Sequence, residues 1–271
     1  MTGGRPAHAI CLLGPTRVRT VAGETTLRPS LRLSLLELLA VRAGETVPIG
    51  PVVEELWAGA PPERPVQAVQ AHVRRLRRTL AAAGVPPRTL PVLLTGGGLV
   101  LDVPAAEVDA LHMVAMVEAA TRIAADHAGE AIPVLQRALA MWTGEPFGGL
   151  ADGPEHRSAV RYWGEVRMLA LRSWAAAHLR LGRPQPVVAR FHAGGLHEST
   201  DEGVTALLIS ALCQVGRRVE ALSVYRAFRR RLVDEHGVEP SAELQRFHRR
   251  ILLDERETRF AAATLPGVLG G

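Results

Sequence analysis

The sequence predicts a mainly α-helical fold with a small β component. Hydrophobic residues make up 47% of the 271 residues but aromatic residues only 4%, a balance that favours helices packed on helices over a large sheet. Glycines and prolines divide the chain after Val108 into successive segments of helical length. Two groups of short strand-like runs, one before Ser30 and one after Pro87, account for the β component.

Three short strands and two helices are predicted in the first 60 residues. The strands lie at residues 10–13, 16–21 and 25–27, with glycine-containing turns between them. Ser30 is the predicted N-cap of a helix that runs to about Arg42, and a second, short helix begins at Gly50-Pro51. The side chains expected to point inward from these two helices are Leu31, Leu35, Leu38, Leu39, Val52, Val53, Leu56 and Trp57.

The next predicted helix, from Glu63 to about Ala83, carries most of the functional inference. Apolar residues at spacings of three and four form one buried stripe of Val66, Val69, Val73, Leu76 and Leu80. The opposite face presents Arg64, Gln67, Ala71, Arg74, Arg75 and Arg78, with Gln70 on one flank. No acidic residue interrupts this face after Glu63, so ion pairs within the helix do not account for the arginines.

This face has the chemistry that a helix needs in the major groove of DNA. Glutamine pairs with adenine and arginine with guanine, other arginines neutralise phosphates, and the small Ala71 allows close approach to the bases. The alternative is an ordinary amphipathic helix with a solvated outer face. The charge distribution favours the first interpretation, because 12 arginines and 7 acidic residues precede Pro104 while 20 of each follow it.

A β-hairpin is predicted shortly after this helix. Residues 90–95 and 99–103 are the expected strands, joined by the turn Gly96-Gly97-Gly98. A hairpin in this place is the wing of a winged helix, which contacts the adjacent minor groove or backbone; a plain hairpin is the alternative. The glycines do not form a phosphate-binding loop, since neither Lys-Ser/Thr nor a helix follows them.

Nearly all of the chain after Val108 is predicted to be helical. The expected segments are 108–125, 130–142, 154–181, 185–192, 202–215, 219–236 and 241 to about 257. Antiparallel helices with short connections favour repeats of the tetratricopeptide type, whose concave surfaces bind protein segments or a partner subunit. The clearest unit, 206–232, turns at Gly216. The arginine clusters at 229–231 and 249–250 are interpreted as solvated helix faces.

Other classes of protein and site receive little support. Cys11 and Cys213 are expected to be buried free thiols, and the four tryptophans are expected in the core. His192, His197 and Glu198 do not have convincing ligand spacing, so no metal and no cofactor is expected.

The absence of a nucleophile elbow, phosphate loop or dinucleotide fingerprint argues against an enzyme. Without a signal peptide or an apolar run of about 20 residues, a cytoplasmic protein with no membrane contact is expected.

Several motifs in combination resemble the Streptomyces antibiotic regulatory proteins of the AfsR/DnrI type. The first group is VVEELW at 52–57, Pro61-Pro62, and VRRLRRTL at 73–80. The second group is EVD at 107–109, ALAMWTGEP at 138–146, EHGVEPSAEL at 235–244, and HRRIL at 248–252. No one motif is sufficient, but the motifs occur in the family's order along nearly the whole chain.

The resemblance implies three regions: an OmpR/PhoB-like winged helix-turn-helix DNA-binding domain at 1–104, an all-α tetratricopeptide-like bacterial transcriptional activator domain at 105–258, and a tail at 259–271. Such proteins bind direct repeats in double-stranded DNA, usually as two protomers side by side. They recruit RNA polymerase holoenzyme through its sigma subunit and other surfaces, usually at antibiotic and other secondary-metabolite biosynthesis genes. By position, the resemblance implies that the bases are read by Gln67, Gln70, Ala71 and Arg74. It implies that phosphates are contacted by Arg64, Arg75 and Arg78, and that the wing tip consists of Thr95, Gly96 and Gly97.

Two features depart from the family's pattern. Leu99 stands where the family's wing has an aromatic residue, after a turn that is one residue shorter. Prolines at 184 and 186 and glycines at 194 and 195 interrupt a region that is usually continuously helical, so a short or reshaped helix is expected there. The competing hypothesis is a helical-repeat scaffold with only weak, non-specific DNA affinity, and the acid-free Gln/Arg face favours the promoter-binding activator instead.

Overall fold

The computed structural model describes residues 8–149, 153–195 and 199–253. Contacts between Cα atoms divide the chain into two compact units, the first of residues 1–119 and 137–168 and the second of residues 120–136 and 169–271. This division does not follow the predicted boundary at Pro104, which stays a prediction. The predicted tail at 259–271 lies outside the described residues.

The first unit begins with a three-stranded antiparallel sheet of β1 (Ile10–Cys11), β2 (Arg17–Thr20) and β3 (Gly23–Thr26). Val18 in the central strand lies opposite Ile10 on one side and opposite Thr25 on the other. Ile10 and Val18 are completely buried. The three predicted strands are therefore present, with bounds shifted by up to two residues.

Three helices and a hairpin follow: α1 (Leu31–Val41), α2 (Ile49–Trp57), α3 (Pro65–Ala82), β4 (Val92–Thr95) and β5 (Gly98–Leu101). Ser30 caps α1 as predicted, because its hydroxyl accepts a hydrogen bond from the Leu33 N–H. Of the predicted inward-facing side chains, Leu31 is 41% exposed and Val53 and Trp57 are only half-buried. Leu31 is the first residue of α1 and Trp57 the last of α2, positions where fewer neighbouring residues cover a side chain.

Parts of three further helices complete the first unit: α4 (Asp109–Ile123), α5 (Ala128–Ala140) and α6 (Pro154–Arg180). The Asp109 carboxylate, only 3% exposed, accepts hydrogen bonds from the N–H groups of Leu12 at 2.7 Å and Leu13 at 3.3 Å. Burial raises the pKa of Asp109 to about 6. This carboxylate fixes the start of α4 to the chain that follows β1.

A buried charged cluster joins α6 to α1 and α2 in the first unit. The His156 ring bonds the Glu55 carboxylate through Nδ1, and its Nε2 lies 3.4 Å from the Glu37 carboxylate. All three side chains are at most 7% exposed. Burial opposes the charge on His156, but hydrogen bonding and attraction from the two carboxylates outweigh it and raise its pKa to about 9. His156 is therefore an imidazolium at neutral pH.

Glu55 also caps α6. Its carboxylate accepts hydrogen bonds from the N–H groups of Glu155, at 2.8 Å, and His156, at 3.2 Å. Free N–H groups at a helix N-terminus favour a negative charge. These bonds and the contact with His156 lower the pKa of Glu55 despite its burial, so its carboxylate is ionised. No local sequence pattern indicates this role for Glu55.

The second unit contains α7 (Gln185–Ala193), α8 (Glu202–Gln214), α9 (Arg218–His236) and α10 (Ala242–Leu252). Residues 203–212 of α8 are all buried, so α8 forms the centre of this unit. Asp201 and Ser241 cap α8 and α10 through their side chains. The predicted unit at 206–232 is present, with its turn at Gly216. Helix α7 is short, as predicted from the prolines at 184 and 186 and the glycines at 194 and 195.

Other predictions about buried residues hold only in part. Trp163 and Trp174 are buried, but Trp57 and Trp142 are half-buried. The Arg167 guanidinium lies over the Trp142 ring at 4.7 Å and covers one aromatic face by a cation–π contact. Neither cysteine forms a disulfide; Cys11 is buried, and Cys213 is only partly buried.

The residues that the structure describes include no helix long and apolar enough to cross a membrane. The same residues include no group of three or more His, Cys, Asp or Glu side chains that could hold a metal ion. His197 and Glu198, which the sequence analysis considered as metal ligands, lie outside the described ranges.

Candidate nucleic-acid interface

The amphipathic helix α3 packs its apolar stripe against α1 and α2. Its buried members are at most 4% exposed: Val69, Val73, Leu76 and Leu80. Pro65 occupies the first helical position and Arg64 the N-cap position, so the helix begins two residues later than predicted. Val66 is 46% exposed, and its predicted place in the buried stripe is wrong because it lies in the terminal turn, before the packed part begins at Val69.

The opposite face of α3 is open to solvent. Its exposed side chains are Arg64, Gln67, Arg74, Arg75 and Arg78, while Gln70 and Ala71 are partly exposed. Within the described ranges, none of these four arginines forms an ion pair with an acidic residue. Their guanidinium groups are therefore available to an external anion.

Two polar residues on this face, Gln67 and Arg74, are separated by about two helical turns. Gln67 and Arg74 are seven residues apart, which at about 1.5 Å per residue places them roughly 10 Å apart along the axis. That separation spans about three base pairs at roughly 3.4 Å each. Arg75 and Arg78 lie toward the C-terminal end of the helix, beside the residues that would approach the bases.

The hairpin formed by β4 and β5 follows α3 and ends in a two-residue turn. Thr95 pairs with Gly98, which leaves Gly96 and Gly97 as the turn; the predicted three-glycine turn is one residue too long. Thr95, Gly96 and Gly97 are exposed, as the wing-tip prediction requires. The Thr95 hydroxyl donates a hydrogen bond to the Gly98 carbonyl at 3.1 Å, so the tip is internally braced.

The base of the hairpin is held against the segment between α1 and α2. Val47 and Leu99 exchange two backbone hydrogen bonds, at 2.8 and 2.9 Å. Leu99, which stands where the family's wing has an aromatic residue, is completely buried. The residue at this position therefore packs in the core and does not face solvent.

A shallow concavity of about 300 Å³ lies between α3 and the hairpin. It is lined by Gln70, Val73, Arg74, Arg77 and Leu94. Leu94 is 53% exposed and its neighbour Leu93 is 42% exposed. Sequence reasoning did not assign Arg77 or Leu94 to the site. Arg77 is one of four arginines within five residues; helical periodicity places it beside the apolar stripe, and the position of β4 gives it a partner.

The comparisons with known proteins agree on one family. A sequence profile described as "Bacterial transcriptional activator domain" matches residues 108–252, more than half of the chain. The chain is also 30% identical over 247 residues to Transcriptional regulator RedD of Streptomyces coelicolor, an alignment that covers 91% of this chain and 71% of that protein. This chain belongs to the Streptomyces antibiotic regulatory protein family.

Other members of the Streptomyces antibiotic regulatory protein family align over most of the chain. Regulatory protein DnrI of Streptomyces peucetius is 31% identical over 80% of this chain and 82% of its own length. Regulatory protein AfsR of Streptomyces coelicolor is 34% identical over 93% of this chain but only 25% of that protein. A solved structure, Mycobacterium tuberculosis EmbR in complex with a low affinity phosphopeptide, matches with a TM-score of 0.82 and 25% identity over 95% of this chain and 69% of that one. Family members are transcriptional regulators, not enzymes.

Proposed function

We propose that this member of the Streptomyces antibiotic regulatory protein family is a sequence-specific DNA-binding transcriptional activator. The elements from β1 to β5 act as a winged helix-turn-helix: α3 enters the major groove, and the β4–β5 hairpin contacts the adjacent backbone or minor groove. The single observation that carries the proposal is the exposed face of α3, which has four arginines, two glutamines and no acidic residue. Arginines can contact the phosphates of double-stranded DNA, and arginines and glutamines can form hydrogen bonds with the edges of its bases.

Each residue of the interface has a proposed role. Gln67, Ala71 and Arg74 on the exposed face and Gln70 on its flank read bases, with Ala71 leaving room for the helix to approach. Arg64, Arg75 and Arg78 contact phosphates on either side. Thr95, Gly96 and Gly97 form the wing tip, where backbone N–H groups and one hydroxyl are the available donors.

The proposal also covers the partners of the protein. Two protomers bind adjacent direct repeats in a promoter, and the tetratricopeptide-like helices offer surfaces for RNA polymerase holoenzyme, including its sigma subunit. The regulated genes are antibiotic or other secondary-metabolite biosynthesis genes, and the protein acts in the cytoplasm. The regulatory names of RedD, AfsR and DnrI, and their alignment with most of this chain, support these roles.

Alanine substitution on α3 tests the proposed function. The full chain is first used to select a preferred duplex from a random DNA pool. Gln67→Ala and Arg74→Ala are each expected to weaken binding to that duplex about 5- to 150-fold, because each removes one bidentate base contact. Gel retardation with selected and scrambled duplexes measures the loss of specificity.

The matched control is Arg246→Ala on α10, which removes another exposed arginine, from the second unit. Its affinity for the selected duplex is expected to stay within twofold of that of the wild type. Circular dichroism establishes that all three variants are folded. Wild-type affinity that is weak and equal for every sequence would favour the helical scaffold and refute the proposal.

The salt dependence of binding separates phosphate contacts from base contacts. Each phosphate that an arginine neutralises is expected to contribute about 0.9 to the slope of log affinity against log salt concentration. Arg78→Gln should therefore flatten the slope by about one and weaken selected and scrambled duplexes alike. A slope unchanged by this substitution would exclude Arg78 from the phosphate contacts.

A further inference from the structure

Arg77 differs from the other exposed arginines of α3 because its guanidinium is bound to the protein. Its Nη2 donates a hydrogen bond to the Val92 carbonyl at 2.6 Å, and its Nε donates to the same oxygen at 3.2 Å. Val92 is the first residue of β4. One side chain of α3 therefore holds the strand that leads to the hairpin turn.

The Val92 carbonyl lies on the edge of β4 that β5 leaves unpaired. The carbonyl of Pro91 accepts the Asp102 N–H at 2.9 Å and so points toward the β5 side. Successive carbonyls along a strand point in opposite directions, so that of Val92 points away from β5. Arg77 supplies the donor that a third strand would otherwise provide, with the strength of a charge-assisted bond.

The position of the hairpin must be fixed by the protein because the hairpin carries no charge that would attract it to DNA. No Arg, Lys, His, Asp or Glu occurs from Val92 to Leu101. A charged loop is drawn to phosphates over roughly 10 Å, but a neutral tip contacts DNA only through hydrogen bonds that require about 2.7–3.2 Å. The angle between α3 and the hairpin therefore decides whether Thr95, Gly96 and Gly97 reach the duplex.

We propose that Arg77 is a positioning residue that sets the hairpin at the angle needed for its uncharged tip to touch the DNA while α3 occupies the major groove. This inference rests on the proposed DNA-binding function. Arg77 also lines the concavity between Gln70 and Leu94, so the width of that concavity depends on the same bond. The guanidinium acts on the DNA through β4 and does not neutralise a phosphate.

Arg77→Gln tests this role on the duplex that the wild-type chain selects. Affinity is expected to fall about 5- to 20-fold, since a charge-assisted hydrogen bond is removed, while the salt slope stays unchanged. Hydroxyl-radical footprinting should show that protection at the flank contacted by the hairpin is lost. Protection at the site of α3 should remain, which also shows that the variant is folded.

Arg78→Gln is the matched control, because it removes the same charge one residue further along α3. It should flatten the salt slope by about one and leave the hairpin footprint in place. The inference is overturned if Arg77→Gln flattens the slope in the same way, or if it leaves the hairpin footprint and affinity intact. Failure of the wild-type chain to select any sequence would instead overturn the proposed function, independently of Arg77.

Discussion

Replacing His156 by leucine is expected to lower the free energy of unfolding by about 3 to 5 kcal/mol at pH 7. The substitution introduces an apolar side chain of similar size and removes the cation that lies between Glu37 and Glu55. Both carboxylates are at most 7% exposed. Two buried negative charges without a counterion repel each other and are poorly solvated, so either the carboxylates take up protons or the helices separate.

His178→Leu is the matched control for this prediction. His178 is 6% exposed and packs edge-on against Trp174 at 4.5 Å, but neither ring nitrogen has a hydrogen-bond partner within the described residues. Burial lowers its pKa, so the neutral ring is replaced by an apolar group at a cost expected below about 1.5 kcal/mol. Urea unfolding measures both variants, and equal losses for the two would contradict the assigned role of His156.

The stability of the wild type should also depend on pH in a defined window. The pKa of His156 is raised from its ordinary 6.5 to about 9 in the folded protein. Its stabilisation is therefore complete below pH 6.5 and is lost as the pH rises toward 9. The free energy of unfolding should decline over that range in the wild type and remain flatter in His156→Leu, which chemical denaturation at a series of pH values can establish.

Gly98→Ala is expected to destabilise the first unit by about 3 kcal/mol, because overpacking is combined with the loss of backbone hydrogen bonds. A Cβ at this position would lie 2.1 Å from the Val47 carbonyl oxygen and 2.9 Å from the Pro48 Cα. These are backbone atoms that cannot rotate away as a side chain does. The hairpin must therefore move off Val47 and break the paired bonds between Val47 and Leu99.

Gly96→Ala provides the matched control within the same hairpin. A Cβ at Gly96 meets no atom within 4 Å, so the same change in composition is expected to alter stability by less than about 0.5 kcal/mol. Thermal unfolding measures both variants, and hydrogen exchange at the Val47 and Leu99 amides reports the broken pairing directly. Wild-type protection of those amides in Gly98→Ala would show that the close approach does not exist.

The sequence is sufficient to predict features that depend on local patterns. The spacing of Val69, Val73, Leu76 and Leu80 determines which face of α3 is buried, and therefore which residues remain exposed. Glycines and prolines interrupt helical periodicity sharply enough that the helices of the second half lie within a few residues of their predicted positions. Ser30 illustrates the same point, because a cap acts on the next turn alone.

Features that depend on distant residues were not predictable from these patterns. Glu55 follows another acidic residue in a helix with an exposed face, and its partner His156 is 101 residues away along the chain. Arg77 has the same residue type as Arg75 and Arg78; its helical position places it off their face, but only the structure shows the unpaired strand edge beside it. Hydrophobic periodicity identifies which face of a helix is buried. It does not identify a polar side chain that is also buried because a distant residue forms a hydrogen bond or an ion pair with it.

The hydrogen bonds of Asp109 and His156 determine which fragments of the first unit keep their buried polar groups paired. A fragment that stops at residue 104 would keep Glu37 and Glu55 but not the histidine between them, and would leave the amides of Leu12 and Leu13 without their carboxylate acceptor. A fragment of the first unit that keeps these bonds must therefore extend into α6, and a fragment that ends at residue 104 is expected to be less stable.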